Sequence, residues 1–208
     1  MSLVVINNEI IQKTYFDEIK LDFGSLLKEM NDEEFLKFSR ENDDLLIEMN
    51  AKGDLEIVPG TGGLTGKKNS YLNRKLGNWA EETGNGEVFD SQTFFRLDNG
   101  AKRMPDVAWV KTERWNSLTR EMQEGIIPFA PDFVIELRSK TDVLKDLREK
   151  MQEYVENGVS LGWLIDPAER KVYVYRPNAE VEVLENPTEI SGEPILQGFK
   201  LNLKEIWE

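Results

Sequence analysis

The sequence predicts an α/β fold in which a mixed central sheet is flanked by helices. Segments 104–110 and 131–138 have the short apolar composition of buried strands, and each carries an acidic residue among its apolar ones. A helix with apolar side chains at helical spacing is predicted over 142–157, between the second of these strands and a further apolar segment. Strands that alternate with helices in this way are typical of α/β proteins.

The elements of the first half follow from caps and periodicity. Residues 1–30 have no clear period, and we expect an N-terminal arm over 1–40 and one domain over 41–208. Asn31 precedes three acidic residues, which predicts a capped helix ending near Glu41. The further predictions here are a hairpin of strands 45–49 and 55–58, a glycine-rich loop over 59–66 and a helix over 69–83 that ends at Gly84.

Turn residues delimit the elements of the second half. The Asp98-Asn99-Gly100 turn separates strands predicted over 87–97 and 104–111. Prolines 128 and 131 separate a predicted helix over 114–122 from a strand over 132–138. The helix over 142–157 stops at Asn157-Gly158. Strands over 161–165 and 172–175, joined by a turn at Asp166-Pro167, are expected to close the fold.

The composition excludes several kinds of chemistry. The 208 residues include no cysteine and no histidine, so that disulfides, thiolate–zinc sites, Ser-His-Asp triads and histidine metal ligands are all excluded. Any catalysis must use carboxylates, lysine, arginine, hydroxyls or a bound metal ion.

Charge and hydropathy restrict the location and the partners. No apolar run approaches the roughly 18 residues that a membrane span needs, and the N-terminus lacks the features of a signal peptide. We therefore expect a cytoplasmic protein without a membrane partner. The net charge of −13 predicts weak non-specific affinity for DNA.

The glycine-rich segment 60–68 is not a nucleotide-binding P-loop. That motif would need glycine at position 61, which is Thr61, and serine or threonine at position 68, which is Lys68. A flexible turn is the simpler interpretation, although its backbone amides and Lys67 with Lys68 could contact a nucleic-acid phosphate.

Two carboxylates and a lysine form the candidate site. Strand alternation allows Asp106 and Glu136 to point at one spot if their strands are neighbours. Two such carboxylates repel each other, and oxygen ligands suit Mg²⁺ or Mn²⁺. On the helix over 142–157, the angular spacing places Lys150 at the edge of the apolar stripe and leaves Glu153 among the polar-face residues. Metal-assisted hydrolysis of a phosphodiester is the chemistry that this set favours.

Each of these residues also has an ordinary structural explanation. Asp106 follows a proline and could cap a turn, and Glu136 could pair with Arg138 or Lys140. Lys150 could extend its stem over apolar surface to reach solvent. The joint presence of two inward carboxylates and an edge lysine favours a site.

Four segments carry a resemblance to a known family: RMPDVAWV (103–110), PDFVIELRS (131–139), KMQEY (150–154) and GVSLGWLIDP (158–167). Through them the chain resembles the PD-(D/E)XK nuclease superfamily, and within it the Uma2 family of restriction-endonuclease-like proteins. The resemblance implies a restriction-endonuclease-like core, a divalent metal ion, a DNA substrate and a homodimer. It also implies that Asp106 and Glu136 are the metal ligands and that both act in catalysis.

The chain departs from the superfamily pattern at one position. The pattern places a lysine two residues after the glutamate, where this chain has Arg138. In the Uma2 family the lysine is thought to lie on the following helix, which selects Lys150 as the third catalytic residue. Glu48, on the predicted hairpin, is a further candidate acidic member.

Two functions remain open on the sequence. The preferred one is a metal-dependent DNA endonuclease with Asp106, Glu136 and Lys150 as catalytic residues, Lys150 serving as base or as charge stabiliser. The alternative is a catalytically silent restriction-endonuclease-like binding or regulatory module. Arg138 and the acidic net charge favour the alternative, and the intact three-residue set favours the enzyme.

Overall fold

The computed structural model describes residues 3–6, 9–12, 19–21 and 30–208. The rest of the predicted N-terminal arm lies outside the described residues. Three strands fall in its described part, β1 (Leu3–Ile6), β2 (Glu9–Gln12) and β3 (Ile19–Leu21). The first two form an antiparallel pair.

The remaining elements begin at Asp32. In chain order they are α1 (Asp32–Glu41), β4 (Leu46–Met49), β5 (Leu55–Val58), α2 (Gly63–Thr83), β6 (Gly86–Phe89), β7 (Phe95–Arg96), β8 (Lys102–Arg103), β9 (Val107–Lys111), α3 (Thr112–Asn116), α4 (Arg120–Glu124), β10 (Phe133–Leu137), α5 (Leu144–Glu156), β11 (Leu161–Asp166), β12 (Lys171–Tyr175), β13 (Glu182–Glu185), β14 (Glu189–Ser191), β15 (Lys200–Asn202) and α6 (Lys204–Trp207). None of the helices among these residues is both long and apolar enough to cross a membrane.

A six-stranded mixed sheet confirms the predicted α/β class. Its strand order is β13-β12-β11-β10-β9-β6, and β10 and β11 are parallel while the other pairs are antiparallel. Leu72, Leu76 and Trp79 of α2 pack against one face of this sheet. Met151 and Tyr154 of α5 pack with Val134 and Leu164 on the other face. Helix α5 also provides the crossover that two parallel neighbouring strands require.

A second sheet has five strands, in the order β3-β5-β4-β8-β7. Helix α1 covers its apolar residues through the fully buried Phe35. The predicted cap of α1 is present: Asn31 accepts the Glu34 N–H at 2.9 Å, and the Glu34 side chain accepts the Asn31 N–H. The predicted hairpin of β4 and β5 is present as well.

Several predicted boundaries are wrong. Helix α2 begins at Gly63 instead of 69, since the glycines of its first turn adopt helical backbone angles. The strand predicted over 87–97 is split, because a turn after β6 transfers the chain to the five-stranded sheet, where β7 pairs with β8. The helix predicted over 114–122 is broken into α3 and α4, and Thr119 caps the second of them. Beyond 175 the structure adds β13, β14, β15 and α6.

A close approach of two strands at Gly86 leads to a stability prediction. A Cβ atom at Gly86 would lie 2.3 Å from the Val110 carbonyl oxygen and 2.4 Å from Nε1 of Trp109. We expect Gly86→Ala to lower the free energy of unfolding by about 1–3 kcal/mol, because the clashing carbonyl belongs to the β9 backbone and cannot rotate away. Urea denaturation of the variant measures this loss.

Gly77→Ala is the matched control for that experiment. Nothing lies within 4 Å of a Cβ placed at Gly77, in the interior of α2. Alanine there should raise the free energy of unfolding by roughly 0.5–1 kcal/mol through its higher helix propensity. Equal effects of the two substitutions would show that Gly86 has no steric role.

Candidate active site

Asp106, directly before β9, lies opposite Glu136 of the neighbouring strand β10. β9 and β10 are antiparallel with Ile135 opposite Val107, and the same register extended by one residue places Glu136 opposite Asp106. Strand alternation puts both side chains on one face of the sheet. Oδ2 of Asp106 accepts the Leu137 N–H at 2.8 Å, which attaches the carboxylate to the neighbouring strand.

The ammonium of Lys150 lies between two buried carboxylates. Its Nζ is 3.1 Å from Oε1 of Glu136 and 3.0 Å from Oε1 of Glu48. The lysine side chain is only 17% exposed, so it does not extend into solvent as an ordinary surface lysine would. Tyr154, one turn further along α5, donates its hydroxyl to the same Glu136 oxygen at 3.0 Å. Helix α5 therefore supplies both side chains that hold Glu136.

Burial changes the ionisation of the two opposed carboxylates. It raises the pKa of Glu136 to about 7; Lys150 opposes this rise, and the charges of Asp106 and Glu48 add to it. Burial also raises the pKa of Asp106, against the effect of the hydrogen bond from Leu137. Because a nearby positive charge favours the ionised form, a bound cation would stabilise both carboxylates.

Glu48 and Lys150 are each held in the charged form. Burial alone would raise the pKa of Glu48, but Lys150, Arg103 and the Met104 N–H, which donates at 2.7 Å, together lower it. For Lys150, burial favours the neutral amine, but Glu136 and Glu48 outweigh burial and raise the pKa of the lysine. In this arrangement Lys150 is an ammonium at neutral pH and cannot accept a proton.

Arg103, which no sequence pattern singled out, joins this site to two further carboxylates. Its Nη1 contacts both Glu48, at 3.1 Å, and Glu56, while its Nε donates to Glu153 at 2.7 Å. The guanidinium side chain is 8% exposed. The expected position of Glu153 on the polar face of α5 is therefore wrong, since this residue faces Arg103 and is only 17% exposed. Local periodicity could not reveal these contacts, which join residues 47 to 55 positions apart.

Arg138 has a structural partner of its own. Its Nη1 is 2.6 Å from Oδ2 of Asp166, a carboxylate with no exposed surface, and its Nε donates to the Asp142 carbonyl at 3.4 Å. In the described part of the chain, Glu136 pairs with Lys150 instead of with Arg138 or Lys140. The arginine at the superfamily's lysine position is thus anchored beside the site.

The start of helix α2 reaches the site through a residue that the sequence analysis missed. Lys68 is buried and donates to the Ile206 carbonyl at 2.5 Å, so it is not available to a phosphate as expected, whereas Lys67 is exposed. The following residue, Asn69, donates its Nδ2 to Oδ1 of Asp106 at 2.8 Å. A polar residue one turn after a glycine-rich segment was the only signal of this contact.

The oxygen atoms at this site suit a divalent cation. Within the described ranges, no three acidic, histidine or cysteine side chains are gathered closely enough to hold a metal ion by themselves. Magnesium is ordinarily held by one or two carboxylates, with water and substrate phosphate oxygens completing its ligands. Asp106 and Glu136 form such a pair. Asn69, whose Nδ2 contacts Asp106, has a buried Oδ1 with no hydrogen-bond partner among the described residues. The residues present therefore fit Mg²⁺ or Mn²⁺.

Comparisons with known proteins bear on the family and on the fold. The model of the Uma2 family, described as "Putative restriction endonuclease", matches residues 32–204. The fold is similar to that of a crystal structure from Anabaena variabilis ATCC 29413, titled a "putative nuclease belonging to DUF820". That similarity has a TM-score of 0.68 and 22% sequence identity, over 84% of this chain and 96% of the other. No curated protein matches the chain.

Proposed function

Because this chain belongs to the Uma2 family of restriction-endonuclease-like proteins, whose model spans most of its length, we propose that it is a metal-dependent DNA endonuclease. Its fold is similar to that of the Anabaena variabilis protein described as a "putative nuclease". Asp106 and Glu136 are the proposed cation ligands, and Lys150 is the proposed third catalytic residue. The homodimer and the cytoplasmic location stay predictions.

One observation carries this proposal, a buried group of charges with a surplus of carboxylates. We define the acidic cluster as the two cations and the carboxylates joined around them, namely Lys150 and Arg103 with Glu48, Glu56, Asp106, Glu136 and Glu153. Even without counting Glu56, the other four carboxylates outnumber the two cations among the described residues, so a negative surplus remains when Glu136 is protonated. A surplus of buried negative charge is costly unless a positive ion compensates for it.

Each residue has a task that follows from its contacts. When bound, a divalent cation lowers the pKa of a coordinated water and polarises the phosphodiester. Leu137 and Asn69 hold the two oxygens of Asp106, and Tyr154 holds one oxygen of Glu136, which orients both proposed ligands. Orientation of this kind reduces the rearrangement needed during the reaction.

Lys150 is proposed to stabilise charge rather than to act as a base. Its raised pKa keeps it protonated, and its ammonium lies beside Glu136 where the phosphate would be bound. A fixed positive charge in a partly buried site stabilises the charge that develops on the phosphate oxygens in the transition state. Glu48 holds the ammonium on its other side.

The test is cleavage of supercoiled plasmid and of circular single-stranded DNA, with Mg²⁺ or Mn²⁺ and with EDTA. We expect nicking or linearisation of DNA only with the metal ion. The metal ion should also raise the melting temperature of the protein, since a ligand that binds the folded state stabilises it by about 2.7 kcal/mol at 100 times its dissociation constant.

A negative result would favour the silent module. Two observations support the silent module. The net charge of −13 opposes tight binding of DNA, and Lys150 already neutralises part of the site. The absence of both cleavage and a metal-dependent rise in melting temperature would contradict the proposed nuclease activity. Binding of DNA in a gel-shift assay without cleavage would then support a binding function.

A further inference from the structure

The two polar atoms of the Asn69 amide differ in their hydrogen bonding: Nδ2 has a partner and Oδ1 has none among the described residues. Nδ2 donates to Oδ1 of Asp106 at 2.8 Å. Oδ1 of Asn69 is buried and has no hydrogen-bond partner among the described residues. Three other buried atoms in the described residues lack a partner, those of Trp109, Trp163 and Tyr175, and all three can donate a hydrogen. The Asn69 oxygen is the one that can only accept.

The direction of this amide is set by its neighbour. An ionised carboxylate only accepts hydrogen bonds, so the NH₂ group of Asn69 must face Asp106 and its oxygen must face away. Rotating the amide would bring two oxygen atoms together beside a buried carboxylate. The unpartnered oxygen therefore follows from the chemistry of the contact with Asp106.

A buried acceptor without a donor is unfavourable, because it has lost its hydrogen bonds to water and gained none in the protein. Among the nearby donors of the described chain, the ammonium of Lys150 contacts Glu48 and Glu136, and the Leu137 N–H contacts Asp106. A water molecule bound to a cation at Asp106 is a donor of the right kind, because the cation polarises its O–H bonds.

We propose that Asn69 is a positioning residue of the cation site, with Nδ2 orienting Asp106 and Oδ1 accepting a hydrogen from a water coordinated to the cation. The inference rests on the proposed function, since it requires a cation at Asp106. It adds a contribution from α2 to a site otherwise built from the larger sheet, α5 and β4. It also explains why the half-buried Asn69 keeps a buried amide oxygen without a protein partner among the described residues.

The test is calorimetric titration of Mn²⁺ into the full-length protein without DNA, for the wild type, Asn69→Ala and Asn73→Ala. Loss of a residue that orients metal ligands typically weakens metal binding by about 10- to 100-fold, and we expect a loss of this size for Asn69→Ala. Asn73, one turn further along α2, donates to the Phe89 carbonyl at 3.3 Å. Its replacement should leave Mn²⁺ binding unchanged.

A second variant separates the two ends of the amide. Asn69→Asp keeps an oxygen acceptor but removes the donor to Asp106, and we expect it to bind Mn²⁺ more weakly than the wild type but more tightly than Asn69→Ala. If it weakened binding as much as Asn69→Ala, the bond to Asp106 alone would matter and the role assigned to Oδ1 would be wrong. Melting temperatures without metal report whether each variant is folded.

The outcomes also distinguish this inference from the proposed function. Wild-type binding that Asn69→Ala leaves unchanged would overturn the role of Asn69 and leave the metal-dependent nuclease intact. A wild type that does not bind Mn²⁺ would overturn both.

Discussion

Replacing Glu136 by glutamine is expected to lower metal-dependent cleavage by on the order of 10²- to 10³-fold while the protein stays folded. Glutamine has nearly the same shape and can still accept the Tyr154 hydroxyl through its carbonyl oxygen. It lacks the negative charge through which a divalent cation is proposed to bind. Lys150 keeps Glu48 as a partner, at 3.0 Å, so its ammonium is not left unpaired.

The matched control is Glu149→Gln on the same helix as Lys150. The Glu149 side chain is 67% exposed and, in the described part of the chain, pairs with Lys145 at 3.6 Å. Its neutralisation changes the net charge by the same amount without touching the site, and cleavage should remain at the wild-type rate. Equal rates for Glu136→Gln and the wild type would exclude Glu136 from the reaction and identify any cleavage as contamination.

Because the pKa of Glu136 is raised, the stability of Glu136→Gln relative to the wild type should depend on pH when no metal ion is present. The pKa is raised by burial from 4.5 to about 7, so the folded state binds the proton more tightly than the unfolded state does. The resulting stabilisation is fully present below pH 4.5 and is lost as the pH rises to about 7. Glutamine does not titrate, so the stability of Glu136→Gln relative to the wild type should increase between pH 4.5 and 7. Denaturant titrations in EDTA at several pH values measure this difference.

Replacing Arg103 by methionine should lower the free energy of unfolding by about 3–5 kcal/mol, the typical cost of breaking a buried ion pair by removing one partner. The guanidinium contacts Glu48, Glu56 and Glu153 and is 8% exposed. Methionine fills part of the volume but leaves these carboxylates with less compensating charge. Urea denaturation at pH 7 gives the size of the effect.

Acidification should reduce the loss caused by Arg103→Met. Without the guanidinium, the pKa of Glu48 rises toward the value that burial favours, because Arg103 is one of the groups that lower it. Protonation of Glu48 then removes part of the uncompensated charge. The difference in free energy of unfolding between Arg103→Met and the wild type should therefore be smaller at pH 5 than at pH 7.

Arg120→Met is the control for the loss of an ion pair at the surface. Arg120 contacts Glu124 at 2.7 Å, but its side chain is 82% exposed, and exposed pairs contribute about 0–1 kcal/mol. A loss for Arg103→Met no greater than that for Arg120→Met would show that the acidic cluster does not depend on its arginine.

The positions of the three candidate side chains could be predicted because Glu136 and Lys150 lie in regular elements and Asp106 directly precedes one. Alternation along two apolar strands placed Asp106 and Glu136 on one face, and the antiparallel pairing of β9 and β10 brings them opposite each other. Helical spacing placed Lys150 at the edge of the apolar stripe, where its ammonium reaches Glu136. The helix predicted over 142–157 begins later than expected, since Val143 precedes α5 as its cap and is 55% exposed.

The partners of these residues could not be predicted in the same way. Glu48 was only a further candidate, and its contact with Lys150 joins β4 of the smaller sheet to α5 across 102 positions of the chain. Arg103 and Asn69 carry no pattern of their own, since one lies in a two-residue strand and the other near the start of α2. Their roles follow from which elements pack together.

The sequence by itself determined the α/β class, the absence of histidine and cysteine chemistry, and the strand and helix positions of Asp106, Glu136 and Lys150. These properties depend on composition and on periods of two or 3.6 residues, which act between near neighbours in the chain. Tertiary structure alone decided the split of the strand predicted over 87–97, the anchoring of Arg138 by Asp166 and the assembly of the acidic cluster. Such contacts form because buried charges need partners, and these partners come from distant segments of the chain. Local sequence patterns do not predict which segments will pair.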